Sequence, residues 1–392
     1  MGFDSDPRGP DPSMSSLSSP PHRFRRPWLL GAIALAVIAL VAVIGLVLTA
    51  RPNIVHPTIT LGPRAAGYLA STAELRTRAD LAATGQEPYA AAADDLLADA
   101  DAALAREPRP QEPLEITGTE GPFVDDSAAT YGLALAYALT GDDTYAEAAA
   151  RYIDAWVSTT RTTVGTCPDD GRCQTSLIIG RTAPAFVFAA DLIADHSAFD
   201  AGAQAAFEGW LRDVILPTAS TLENNWGDTG AFLRIVVSDY LGDEVALRAG
   251  IEQWYTQADR IASDGHLPEE TRRGSSGISY TQEALQYRVA AAVIAERRGV
   301  DLWSHRGAGG ATLREAIDYL AGFWDHPADW PWDGGADTPS TGPFWEIAYQ
   351  RFEDPRYVPI ILDRRPYGAQ GHSALRWTTL TNGLPLPDAP GG

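Results

Sequence analysis

From about residue 62 onward, apolar positions recur at three- and four-residue spacing, and sustained strand-like alternation is scarce. That period marks helices with one buried face. It predicts helices over 87–108, 175–195, 199–217, 228–241, 243–263, 279–299, 310–325 and 342–353. Residues 126–160 read as two helices meeting at the Gly141-Asp142-Asp143 turn. The fold class expected is therefore all-α, with one domain over residues 65–384. Helices in successive pairs, joined by short Gly-, Asp- and Pro-rich connections, suggest an (α/α) toroid or incomplete barrel of helical hairpins around a cleft. No repeat is strong enough to make the chain a solenoid.

Ahead of this domain the pattern changes. Residues 1–27 are rich in Pro, Ser and Asp, lack apolar periodicity, and read as a disordered tail. Residues 28–50 are almost wholly apolar and long enough to span a bilayer as one transmembrane helix. Arg23, Arg25 and Arg26 just before it would keep the N-terminus cytoplasmic, leaving the main domain outside a cell membrane. The rival reading is a cleaved signal peptide ending near Ala50, which would make the protein secreted. Residues 51–64 would be a linker and 385–392 a flexible tail.

Composition narrows the function. All 30 basic residues are arginine, and the net charge of −21 argues against nucleic acid as a partner. An anionic ligand would need a local arginine cluster, acting against the field of the whole molecule but helped by screening. Cys167 and Cys173 bracket PDDGR and, in an external domain, suggest a small-loop disulfide; without clustered histidines they make a poor metal site. There is no phosphate loop, no G-x-S-x-G elbow and no zinc-spaced histidine cluster, so no cofactor or metal is expected.

Two segments carry candidate chemistry: NNWGDTGAF (224–232) and DGHLPEETRRGSSGISYTQEAL (264–285). Asn225, Arg273 and Tyr280 supply an amide, a guanidinium and a phenol. Elimination from a uronic acid needs such groups, because the C5 proton leaves only if charge building on the adjacent carboxylate is stabilised. A tyrosine then serves as base, acid or both. Ser279-Tyr280-Thr281-Gln282 has the form of a capping box, which would set Tyr280 in a first helical turn. Plainer readings stand beside these. Tyr280 could pack in the core, Arg273 could pair with Glu269 or Glu270, and Asn225 could satisfy a turn.

The stretches YGLALAYALTGDDTYAEAAARYIDAW (131–156), IIGRTAPAFVFAADLI (178–193), NNWGDTGAF, the DG-x-L-P-E-E-x-x-R segment ending in Tyr280, and PFWEIAYQRFEDPRY (343–357) occur in that order. Over about 125–365 the chain resembles the alginate lyase superfamily of polysaccharide lyases with an α/α toroid fold. In the family's better-known branch an Asn-His pair, an Arg and a Tyr form the site. The spacing is kept, with 48 positions from 225 to 273 and seven from 273 to 280. The resemblance implies Asn225, Arg273 and Tyr280 as catalytic residues, and Arg181 as a cleft-facing arginine. Trp226 stands where that branch has its histidine, and His266 or His372 would have to replace it. Asn224, Trp226, Arg272 and the indoles Trp330, Trp332 and Trp345 are further candidates for holding sugar.

The function expected is β-eliminative cleavage of a 4-linked polyuronate, either alginate or a glucuronan-like chain. One alternative is a glycan-binding surface protein that lost activity with the His-to-Trp exchange. The other is an inverting hydrolase using a pair from Asp228, Asp333 and Asp337.

Overall fold

A computed structural model describes residues 55–166, 173–333, 335, 342–371 and 373–387. The expected tail 1–27, the apolar run 28–50, residues 51–54, Cys167, Asp337, His372 and residues 388–392 lie outside the described residues. Among those described, no helix is long and apolar enough to cross a membrane.

The described chain is all-α apart from one two-residue pairing. In order it forms α1 (Thr72–Ala83), α2 (Tyr89–Leu104), β1 (Leu114–Glu115), α3 (Pro122–Thr140), α4 (Asp143–Thr159), β2 (Thr163–Val164), α5 (Gln174–Thr182) and α6 (Pro184–Leu192). There follow α7 (Ala201–Trp210), α8 (Asn225–Tyr240), α9 (Glu244–Ala258), α10 (Pro268–Thr271), α11 (Gly277–Glu296), α12 (Leu313–Ala321), α13 (Phe344–Phe352), α14 (Val358–Leu362) and α15 (Thr378–Asn382). β1 and β2 run parallel, with Leu114 opposite Thr163.

Local chemistry sets the boundaries. α3 ends at Gly141, whose φ of 71° is left-handed, and Asp142 then caps α4 by accepting the Thr144 N–H at 2.9 Å. The expected helix over 175–195 is divided between α5 and α6, because Pro184 opens a new first turn. The expected helix over 199–217 keeps α-geometry only to Trp210, then passes through a π-turn and a 3₁₀ turn around Pro217. α1 is the exposed exception. Of its residues only Leu75 is buried, and its start depends on the reciprocal Ser71–Glu74 capping box.

Consecutive helices pack as pairs: α1 on α2, α3 on α4, α8 on α9, and α11 on α12. α3, α8 and α11 are buried along most of their lengths, whereas α4 and α12 bury one face. α8 is surrounded by α5, α6, α9 and α11. The short α15 packs back on α1 and α2, and there the Tyr89 hydroxyl donates to the Gly383 carbonyl at 3.0 Å.

Candidate active site

The candidate residues meet where the start of α8 faces α10 and the start of α11. α8 begins at Asn225 because the Asn224 side chain accepts the Trp226 N–H at 3.1 Å. Its first turn lies hard against the preceding segment. A Cβ on Gly227 would overlap the Leu222 carbonyl, and one on Gly230 the Ser220 carbonyl. Two α9 side chains hold that segment: Gln257 donates to the Leu222 carbonyl and Gln253 to the Ser220 carbonyl, each at 2.7 Å. NNWGDTG thus encodes a cap followed by two close approaches.

Arg273 follows α10, its N–H bonded to the Glu270 carbonyl. Gly274 then takes a φ of +66°, a turn glycine makes without steric cost, and its carbonyl accepts the Trp330 indole N–H at 3.0 Å. A single 3₁₀ turn leads into α11, which starts at Gly277. The helix therefore begins two residues before the expected Ser279, and no side chain caps it. Tyr280 still falls in the first turn. The Arg273 guanidinium carbon lies 3.9 Å from the centroid of the Tyr280 ring, a close cation–π stack.

Glu270 links the two halves. Its Oε1 accepts the Asn225 backbone N–H at 2.6 Å, and its Oε2 lies 3.3 Å from Arg273 Nε. That second contact is an ion pair without hydrogen-bond alignment, and Oε2 has no other hydrogen-bond partner among the described residues. Glu270 is 1% exposed. Burial, and after it the Asp228 carboxylate, push its carboxyl up to about 7, against the opposing pull of Arg273. Asp228 is itself buried and gripped by Arg288, Nε to Oδ1 at 2.7 Å and Nη2 to Oδ2 at 3.2 Å. Burial raises Asp228 as well, although Arg288 opposes the shift. Beside this lattice the Asn225 amide is fully buried, and neither its oxygen nor its nitrogen has a hydrogen-bond partner among the described residues.

Some of the other expectations are corrected. Asn224 is spent as the cap of α8. Arg272 points to solvent and pairs with Glu269 at 2.6 Å. Arg181 is buried and committed to Glu283 of α11 at 3.0 Å, so its charge is shared rather than open. Trp330 and Trp345 are not platforms: they are 2% and 0% exposed, because one fastens Gly274 and the other packs between Phe344 and Tyr357. Trp332 is half-buried, and its ring lies 4.9 Å from that of His266. His266 is held by Asp264, Nδ1 to Oδ1 at 2.6 Å. Trp226 is half-buried beside Asn225. His372 and Cys167, the expected partner of the buried Cys173, lie outside the described residues. Asp228, offered for hydrolysis, is locked to Arg288 and has no freedom to act as a base. No group of three or more His, Cys, Asp or Glu among the described residues could hold a metal ion.

Glu270 was legible in the sequence only as a charge near Arg273, and nothing there signalled its burial.

The alginate lyase family profile matches residues 80–330, a span that contains α8, α10 and α11 with Asn225, Asp228, Glu270, Arg273 and Tyr280. The chain belongs to the alginate lyase family. Members of this family are polysaccharide lyases, and so is this chain. Its fold is that of solved alginate lyases. One from Bacteroides ovatus superposes with a TM-score of 0.62 at 18% identity, over 80% of this chain and 99% of that one. Alginate lyase A1-III from Sphingomonas species A1 gives 0.64 at 18%, over 85% and 100%. A variant of A1-III complexed with a tetrasaccharide gives 0.64 at 18%, over 82% and 97%. No curated protein sequence matches the chain.

Proposed function

We propose that this alginate lyase family member cleaves a 4-linked polyuronate by β-elimination, with Arg273 and Asn225 on the substrate carboxylate and Tyr280 as proton carrier. The observation that carries the reading is the buried, partnerless Asn225 amide, joined through Glu270 to the Arg273–Tyr280 stack. A buried amide without partners costs about 1–3 kcal/mol, so a fold that keeps one calls for an explanation other than stability. The tetrasaccharide held by the A1-III variant supports an oligosaccharide in the equivalent cleft. The helical hairpins are read as an incomplete toroid around that cleft.

In this scheme Arg273 neutralises the uronate carboxylate, and the Asn225 amide donates a hydrogen bond to the enolate-like charge as the C5 proton leaves. The Tyr280 oxygen, as phenolate, takes that proton. The freed electron pair forms the C4–C5 double bond, the C4–O4 bond breaks, and the same proton passes to the departing O4. With Trp226 in the histidine position, one residue both removes and returns the proton, so both events occur on one face of the ring. That favours mannuronate- or glucuronate-type sugars over their C5 epimers. The accessibilities differ: Arg273 and Tyr280 are partly exposed, whereas Asn225 is covered, so substrate engages the arginine and tyrosine first. The apolar run 28–50 supports an outward-facing, membrane-anchored enzyme.

The test is growth of ultraviolet absorbance from the unsaturated product, on polymannuronate, polyguluronate, glucuronan, hyaluronan and heparosan. Growth on polymannuronate or a glucuronate polymer, lost in Tyr280→Phe, is the expected result. New reducing ends without absorbance would point to hydrolysis instead. A flat trace with retained binding would return the chain to a glycan-binding role.

A further inference from the structure

The contacts of Glu270 go beyond positioning. Its two oxygens touch both halves of the proposed carboxylate clamp: Oε1 the first N–H of α8, and Oε2 the guanidinium that stacks on Tyr280. The charged groups around it are few. Asp228 faces it from α8, Arg288 from α11, and Arg273 from the turn between α10 and α11. Arg288 is already bound through two of its nitrogens to Asp228, so Glu270 depends on Arg273 for most of its counter-charge. At 3.3 Å that contact is longer than a good charge-assisted hydrogen bond and poorly aligned, so it is easily lost to a better acceptor.

A uronate carboxylate docking on Arg273 would be such an acceptor. It would leave one guanidinium between two carboxylates, one of them 1% exposed and facing a third at Asp228. Like charges that share one cation cannot both stay ionised cheaply when one of them is buried. We propose that Glu270 is a proton-linked gate of the clamp: it takes up one proton from solvent as the substrate carboxylate displaces it from Arg273. The proton ends on Oε2, the oxygen that Arg273 vacates, and Oε1 keeps the Asn225 N–H. No bond other than O–H is formed. The raised Glu270 carboxyl, near 7 before substrate arrives, agrees with this, because a third negative charge drives it further up. The inference rests on the lyase reading above and adds to it a proton stoichiometry.

The experiment is calorimetric titration of the Tyr280→Phe protein with tetramannuronate and with a glucuronate tetramer, in buffers of differing ionisation enthalpy. At pH 8 the expected uptake is about half a proton or more per bound oligomer, with affinity falling as pH rises from about 6 to 8. Adding Glu270→Gln, which keeps an acceptor for the Asn225 N–H, should abolish both. Adding His266→Asn instead should leave both in place, and this arm decides the matter if the Gln variant does not fold. Binding without proton uptake, or uptake that survives Glu270→Gln or vanishes with His266→Asn, overturns the gate while leaving the lyase reading intact. No binding of either oligomer overturns both.

Discussion

The Asn225 side chain makes an unusual prediction possible, because what it contributes to stability and to chemistry should differ in sign. Asn225→Ala removes a buried amide that has no partner, so the melting temperature should hold or rise slightly, against a penalty of about 1–3 kcal/mol for such a group. Loss of a donor to developing charge should lower kcat by about 10²-fold. Calorimetry beside the absorbance assay checks both, and a marked drop in melting temperature would make Asn225 structural. Tyr280→Phe keeps the ring on which Arg273 stacks and removes only the hydroxyl. It should cost about 10²–10⁴-fold in kcat with the circular dichroism unchanged. Glu270 sets a stability slope too. Its folded carboxyl, near 7, is raised above the ordinary value of 4.5, so the folded state holds a proton that the unfolded chain has lost. Between those values its contribution to stability falls as pH rises, by up to about 1.4 kcal/mol per pH unit, and Glu270→Gln should flatten that limb of a denaturation profile. Asn225, Arg273 and Tyr280 could be picked out from residue type and spacing because their chemistry is carried by what they are. Glu270 could not, since a carboxylate in PEETRR looks solvated until the helices close over it.

At the scale of elements, the helices with a strong three-to-four period were readable, and their ends were readable where a cap residue stood. Gly141-Asp142 is the clear case. The failures have local causes: Pro184 restarts a helix, a π-turn follows Trp210, and α11 begins at a glycine without a side-chain cap. The Trp330 loop misled in another way. Gly, Pro and Asp around an indole suggest a surface, yet this indole is buried and donates to the Gly274 carbonyl that anchors the Arg273 turn. Trp330→Phe keeps the apolar bulk and loses that bond, so urea unfolding should show a loss of about 1 kcal/mol. If the turn then drifts, the Michaelis constant should rise more than kcat falls. An unchanged pair of constants would show that Trp330 serves packing alone.

The whole molecule carries a net charge of −21, while its proposed substrate is also an anion. Long-range repulsion should slow their encounter at low ionic strength, whereas the contact with Arg273 is short-ranged and less screened. Raising sodium chloride from about 10 to 150 mM, which shortens the screening length from about 30 to 8 Å, should therefore lower the Michaelis constant for a polyuronate. A steady rise instead would mean that attraction by surface arginines dominates. The return of α15 to α1 and α2, sealed by the Tyr89–Gly383 bond, bears on how the chain acquires this form during synthesis. The α1–α2 hairpin packs on α3 soon after it is made, but the flank that α15 covers stays bare until almost the last described segment follows. Until then α2 has an apolar flank waiting for a partner nearly 300 residues downstream, and closing so distant a contact is slow. A messenger truncated before codon 378 should thus yield a chain with most of its helices and an adhesive edge, recovered in aggregates rather than as a weakened enzyme.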